Sequence, residues 1–306
     1  MLYAHLPFDE RAIRVAQFLG AITGGARDEM VLLAHDGDTP VGALVAKLRP
    51  GHSAFVWPPV MVASGVAMQV ADELLTEACR LLDAAGVAFG QALLEQDDIG
   101  GRATFVRNGF VSLTNLTLLA RSFDEPLPTR SNLLWGCDSY TPAARSQFAS
   151  LLERTCVGSL DCAGLRGALC GDDTLALHQA SGEFDPQFWL RFTVRTHDAG
   201  LVLVNPHPVL DSCEVSYIGV VPEFRGAGLG REMLIEAMKL AKTAGFVEVF
   251  LAVDEKNHFA RTTYQGLGFR IRESRAVHVR AHPEHAPHGQ STRCSQLAAD
   301  GKSHAS

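Results

Sequence analysis

The 306-residue chain carries 27 Lys and Arg against 34 Asp and Glu, a formal net charge of −7, and 47% hydrophobic residues. That length fits two domains, each able to bury its own core, while the acidic balance argues against nucleic acid as the main partner. Apolar runs stay well short of the roughly 18 residues of a membrane span, and seven cysteines without a C-x-x-C pair suggest neither a zinc ribbon nor a complete disulfide framework.

The start, M-L-Y-A-H-L-P-F-D-E, lacks the basic, apolar and small-residue order of a secretory signal. Cytoplasmic residence with reduced thiols is the expectation. Trp57-Pro58-Pro59 puts two prolines where a strand would otherwise run, which argues against an intact ladder there. From Asp72 the pattern reads as a helix that stops at Ala85-Gly86. Ser122 to Ser131, with two prolines and mixed charges, reads as the boundary between halves. We expect a first domain over residues 1–122, a linker over 123–131, a second domain over 132–282 and a disordered tail over 283–306. His282, His285 and His288 near that tail read as solvated rather than as metal ligands.

In the second half, Pro142 to Arg154 spaces Ala143, Phe148, Leu151 and Leu152 as a helix. Trp189 reads as core. Leu201 to Asn205, Val215 to Val221 and Val247 to Val253 read as strands, with Ala199-Gly200 as a turn before the first of them. Helices alternating with these strands imply an α/β fold with a mixed sheet covered by helices.

The stretch Cys213 to Arg231 runs from strand through Pro222 into Gly226, Gly228 and Gly230 and then a helix. Glycines let backbone approach an anion, and the helix N-terminus faces it with free N–H groups. A P-loop would need Gly-Lys-Ser/Thr, but Arg231 and Glu232 follow Gly230. A dinucleotide turn would need a glycine at 231. What remains is Arg225-x-x-Gly-x-Gly, and further on Asn257, Ala260, Arg261, Tyr264, Leu267, Gly268 and Phe269 fall at N-x-x-A-x-x-x-Y-x-x-L-G-F spacing. The two signatures together resemble the GNAT family of N-acetyltransferases.

The same region has a counterpart 159 positions earlier, ungapped from Asp72 to Arg121: Glu73 matches Glu232, Ala85-Gly86 matches Ala244-Gly245, and Gly109-Phe110 matches Gly268-Phe269. We read an internal duplication. Ala67, Gln69 and Ala71 stand opposite the three glycines, Phe55 opposite Glu214 and Phe105 opposite Tyr264. The expectation is two tandem GNAT-like domains, the first degenerate, with one live site in the second.

The resemblance implies an acyl-CoA-dependent N-acetyltransferase that uses acetyl-CoA as co-substrate and no metal. A free alkylammonium has a pKa near 10.4, so a base is useful. Glu214 is the candidate, against a solvent-facing strand carboxylate, and strict alternation would put it on one face with Ser216, Ile218 and Val220. Tyr264 matches the family tyrosine that protonates the departing thiolate, against a packing role. By resemblance, Ile218, Gly219 and Val220 pair with the pantetheine arm and polarise the thioester carbonyl. Arg225, Gly226, Ala227, Gly228, Leu229, Gly230 and Arg231 hold the diphosphate, although Arg225 and Arg231 also read as surface residues. Asn257 contacts the cofactor, caps a helix, or both. Asp161 and Cys162 lie in a loop that lines the acceptor side in relatives or forms an ordinary turn. The implied partner is an amine-bearing small molecule or peptide, with no nucleic acid and no membrane, and tandem copies that mimic a dimer imply a monomer. The alternative is a non-catalytic acyl-CoA-binding regulatory module.

Overall fold

A computed structural model describes residues 28–62, 67–131, 133–161 and 171–282. Cys162, His285, His288 and the rest of the tail lie outside the described residues. The chain divides into two compact units, one built from residues up to Leu113 together with those from Ala276, the other from Thr114–Arg275.

In the first unit, β1 (Glu29–Asp36), β2 (Thr39–Arg49) and β3 (Ser53–Val56) run antiparallel, with β4 (Val60–Met61) also on β2. β3 then pairs in parallel with β5 (Phe89–Glu95), a geometry that requires a crossover. Helix α1 (Ala67–Ala84) supplies it, burying Leu74, Leu75, Ala78 and Leu82 in one cluster with Leu44, Ala46, Val56 and Leu94. Helix α2 (Ile99–Arg107) follows, its N-terminus capped by Asp98. β3 stops one residue before Trp57, so it has four residues where its counterpart in the second copy has nine.

The second unit orders its strands as β6 (Val111–Ser122, from Thr114 on), β11 (Glu248–Asp254), β10 (Ser212–Val220), β9 (His197–His207), β8 (Trp189–Val194) and β7 (Gly136–Ser139). Among the described pairings β10–β11 is parallel, and β6–β11, β9–β10, β8–β9 and β7–β8 are antiparallel. Helix α5 (Leu229–Thr243) covers one face, packing Met233, Leu234, Ala237 and Met238 in a cluster with Val202, Val204, Val215 and Leu251. On the other face, α3 (Arg145–Cys156) and α4 (Gly171–Gln179) bring Phe148, Leu151 and Leu175 to Trp189, Leu201 and Leu203. The helix expected from Pro142 is thus present, opened by a 3₁₀ turn over Pro142–Ala144. Ala199-Gly200, expected as a turn, lies inside β9; the chain reverses earlier, at Arg195, with φ of 57°. Gly200 is small for a packing reason, since a Cβ there would sit 2.6 Å from the Gly219 carbonyl oxygen.

The duplication is visible bond by bond. α2 and α6 (His258–Gly266) begin and end at equivalent positions, as do β5 and β11, and β6 and β12 (Arg270–Ala281). α1 and α5 both close on a left-handed glycine, Gly86 and Gly245, with matching Val87 N–H to Leu82 O and Phe246 N–H to Ala241 O bonds.

The last strands are exchanged. β6, which ends the first copy, pairs with β11 of the second from Leu116–Asp254 to Ser122–Glu248. The end of β12 belongs to the first unit, where His282 N–H donates to Ala88 O at 2.9 Å and Arg280 makes two bonds to Asp83, at 2.6 and 2.7 Å. Arg280 holds the Asp83 carboxyl below its usual range. A carboxylate whose pKa falls on folding stabilises above its unfolded value, about 3.9, and that contribution is lost as pH drops through the folded value. Asp83→Asn should therefore cost about 1–2 kcal/mol in urea melts at pH 7. The deficit should shrink toward pH 3. The counterpart of Asp83 is Lys242, and Arg121, the counterpart of Arg280, instead donates to the carbonyls of Leu267 and Pro126 at 2.7 and 2.8 Å.

Candidate active site

The site is built on a defect in β10. Val215 pairs with Val204 of β9 but Tyr217 pairs with Leu203, so Ser216 is an extra residue, a bulge. One inserted residue reverses the alternation. Glu214, Tyr217 and Gly219 consequently share the face of Asn205, Leu203 and Leu201, while Ile218 and Val220 turn to the α5 face. The common face expected for Glu214, Ser216, Ile218 and Val220 is corrected by this bulge.

The bulge also marks where two strands part. β10 and β11 pair only from Ser212–Glu248 to Val215–Leu251. Beyond it, Ile218, Gly219 and Val220 pair with Val202, Leu201 and Gly200 of β9 on one side, and no strand of the described residues pairs their other edge. Gly219 lets α3 come close: a Cβ there would lie 2.6 Å from Thr155 Oγ1. Thr155 Oγ1 lies 2.8 Å from the Tyr217 hydroxyl, whose pKa burial pushes far up.

From Val220 the chain enters a 3₁₀ turn over Pro222–Phe224 and then the glycines. Gly226 and Gly228 have φ of 79° and 81°, and a Cβ on either would meet nothing within 4 Å. Gly228 is the N-cap of α5 in an exposed turn, with no side-chain cap, and Arg231 N–H bonds back to Gly228 O at 3.1 Å, which leaves the N–H groups of Leu229 and Gly230 without a side-chain cap. Gly230 has an ordinary φ, and a Cβ there would sit 3.6 Å from Val220, a normal contact. Ala227 is exposed, and Leu229 is buried in the α5 core. The arginines are tied down. Arg225 donates to Val220 O at 2.9 Å and Thr155 O at 2.8 Å, joining the end of β10 to α3. Arg231 donates to Thr129 O and to Glu232, a buried carboxylate that also accepts from Ser131 N–H. These bonds fasten the segment before β7 to the start of α5.

Across the gap, Asp161 takes up groups at the end of β11. Its Oδ1 accepts from Asp254 N–H at 2.9 Å and its Oδ2 from Asn257 Nδ2 at 3.0 Å. Burial raises the Asp161 pKa. Asn257 is at the same time the N-cap of α6, accepting from Ala260 N–H at 3.2 Å, as its counterpart Asp98 caps α2. Two turns on from Asn257, Tyr264 is 6% exposed, and burial, then the nearby Asp161 charge, pushes its hydroxyl pKa far up. It therefore remains protonated well past neutral pH, the state a proton donor needs. Phe105 fills the equivalent place in the first unit with no exposure.

Glu214 sits at the base of the gap with its side chain 27% exposed, its Oε2 3.3 Å from His207 Nε2. No hydrogen bond or ion pair among the described residues joins it to Tyr264; the two belong to different strands of contact, Tyr264 to Asp161 and Glu214 to His207. Tyr217 and His207 carried no signal in the sequence, because only the bulge turns Tyr217 onto the face of Glu214 and only the β9–β10 register brings His207 to it. Among the described residues no group of three His, Cys, Asp or Glu is placed to hold a metal.

Residues 171–269 match the model of the acetyltransferase (GNAT) family. A mycothiol acetyltransferase of Thermobifida fusca is 33% identical over 110 residues, which covers 36% of this chain and 32% of that protein; the similarity thus spans about a third of the length of this relative. A GCN5-related N-acetyltransferase from Sphaerobacter thermophilus shares the fold, with a TM-score of 0.65 at 16% identity over 87% of this chain and 85% of that one. A tandem GNAT protein from the clavulanic acid biosynthesis pathway does so at 0.52 and 15%, over 88% and 87%. Glycine turn, parted strands and family match fall on the same stretch of sequence, and the chain carries in its second unit a GNAT acetyltransferase domain.

Proposed function

We propose that the second unit is an acetyl-CoA-dependent N-acetyltransferase that passes the acetyl group to a primary amine by direct attack. The parting of β10 from β11 immediately before the glycine turn carries this reading, because it puts an unpaired strand edge and an uncapped helix N-terminus next to each other in the chain. The open turn fits a diphosphate: a Cβ on either left-handed glycine would meet nothing within 4 Å, so there is open space on that side of the backbone. Residues 226–231 would hold it through backbone N–H groups. The edge of Ile218, Gly219 and Val220 that no strand pairs, where Val220 O already accepts from Arg225, would take the pantetheine arm. When bound, acetyl-CoA supplies the acetyl group as an activated thioester.

The chain's own groups then divide the proton work. Glu214, half-buried beside His207, accepts a proton from the substrate ammonium so that the amine lone pair is free. Tyr264, held protonated by burial, donates at the departing sulfur. Arg225 and Arg231 act on this reading as staples of the turn, since their guanidinium groups already serve carbonyls and Glu232.

Release of CoA thiol from acetyl-CoA tests the proposal across a panel that sets the acceptor of mycothiol acetyltransferases beside aminoglycosides, polyamines, amino-sugar cysteine conjugates and peptides. Turnover above hydrolysis with at least one amine is the expected result; binding of acetyl-CoA without transfer to any of them would favour a regulatory acyl-CoA-binding module instead. Tyr264→Phe should leave the melting temperature nearly unchanged, because Phe105 fills the same place in the first unit. It should lower kcat about 10²-fold, the lower end of general acid contributions. Wild-type kcat across pH would remove Tyr264 from the mechanism.

A further inference from the structure

Glu214 has a partner that the motifs do not announce. Glu214 stands opposite Asn205, and His207 is two residues further along β9 on the same face, a diagonal neighbour within reach of long side chains. Its Nε2 lies 3.3 Å from Glu214 Oε2. We propose that His207 is the positioning residue for the proton-accepting carboxylate: Nε2–H donates to Oε2, fixes the rotamer of Glu214 and leaves Oε1 to take the proton from the amine. The inference rests on the reading of Glu214 as base.

Three observations support it. First, the imidazole is held and the carboxylate is open. The His207 side chain is 11% exposed against 27% for Glu214, and its ring lies tilted against Phe250 at 5.5 Å between centroids. The chain after α4 closes over it, with Glu183 N–H donating to Pro206 O at 2.9 Å and no room for a Cβ on Gly182, which would come within 3.0 Å of Nε2. Second, His207 is the group that Glu214 meets at ion-pair distance, where Glu248 and Asp83 meet arginines. A permanent cation would depress the basicity of a carboxylate; a neutral imidazole orients it with a weaker electrostatic effect. Third, the duplication supplies an internal control. In the first copy Arg49 stands opposite Ser53 as His207 stands opposite Ser212, and Phe55 holds the place of Glu214, on the equivalent strands β2 and β3. A pair kept for strand cohesion would have equal reason to exist in both copies. Both members are absent together in the copy that also lacks the glycine turn and has Phe105 for Tyr264.

The test uses the full chain, acetyl-CoA and the amine of the panel that turns over fastest. His207→Leu, which removes both ring nitrogens, should lower kcat about tenfold or more, with KM for acetyl-CoA and melting temperature nearly unchanged. His207→Gln, whose amide nitrogen donates from a similar position, should recover most of the loss. In a Glu214→Gln background, His207→Leu should add little, because the two act as a unit. Should His207→Leu lower the melting temperature, His207→Asn replaces it, polar but too short to reach Oε2, and the expectation becomes an active Gln variant beside a slow Asn variant. Unchanged kcat in His207→Leu, equal losses in the Leu and Gln variants, or losses that multiply with Glu214→Gln would each overturn the inference while leaving the acetyltransferase reading intact. A wild type that binds acetyl-CoA and transfers to no amine would overturn both.

Discussion

Gly228→Trp is expected to abolish acetyl-CoA binding while leaving the fold in place. The substitution acts at two levels. A residue with a Cβ at φ of 81° pays about 1–2 kcal/mol for the left-handed conformation, which should appear as a modest drop in melting temperature. The indole then occupies the open space over the N-terminus of α5, where no atom stands within 4 Å of a Cβ. Loss of two charge-assisted bonds to a diphosphate is worth about 3 kcal/mol or more, a weakening of at least about 100-fold by titration calorimetry. Gly230→Ala is the matched control. Its φ is ordinary and its Cβ would make a normal contact with Val220, so its affinity should stay within a few-fold of wild type. Unchanged affinity in Gly228→Trp would move the diphosphate elsewhere.

Glu214→Gln should reduce kcat by about 10²–10⁴ at neutral pH with KM for acetyl-CoA preserved. At pH 7 an ordinary alkylamine, with a pKa near 10.4, is neutral in only about one molecule in a few thousand, which is the deficit a positioned base overcomes. Glutamine keeps the shape, and its amide oxygen can still accept from His207, so packing at the base of the gap is conserved. The residual rate should climb about tenfold per pH unit as free amine accumulates, whereas the wild-type rate should climb less steeply. Parallel pH profiles for the two proteins would show that the amine loses its proton without Glu214.

Much of this was legible in the residues because it depends on local chemistry. Gly226 and Gly228 announce left-handed backbone, the Ala-Gly ends of α1 and α5 announce helix stops, and the prolines after Trp57 announce a short β3. Asn257 read equally well as a cap and as a cofactor ligand, and the structure shows the cap. Gly230 read as a third conformational requirement and has an ordinary backbone. What stayed hidden depends on contacts between distant segments. The bulge at Ser216 leaves no mark in a run of residues that alternates plausibly either way, yet it decides which side chains face Glu214. The partnership of β6 with β11 was hidden for a related reason: β6 and β12 are copies of one strand, so their apolar patterns suit either unit and give no preference for the nearer one.

That exchange bears on why a copy stripped of its glycine turn and its polar groups persists. β11 has two edges: one pairs with β10 as far as Leu251 and then meets Asp161 at Asp254 N–H, and the other is covered along its length by β6. The wall of the gap therefore depends on a strand that the first copy donates. β6 lies outside the stretch where Ala67, Gln69 and Ala71 replace the three glycines, whereas loss of the whole first copy would strip β11 to a bare edge prone to pairing with other chains. Cleaving the chain between Ser122 and Ser131 should accordingly yield two fragments that regain activity only together.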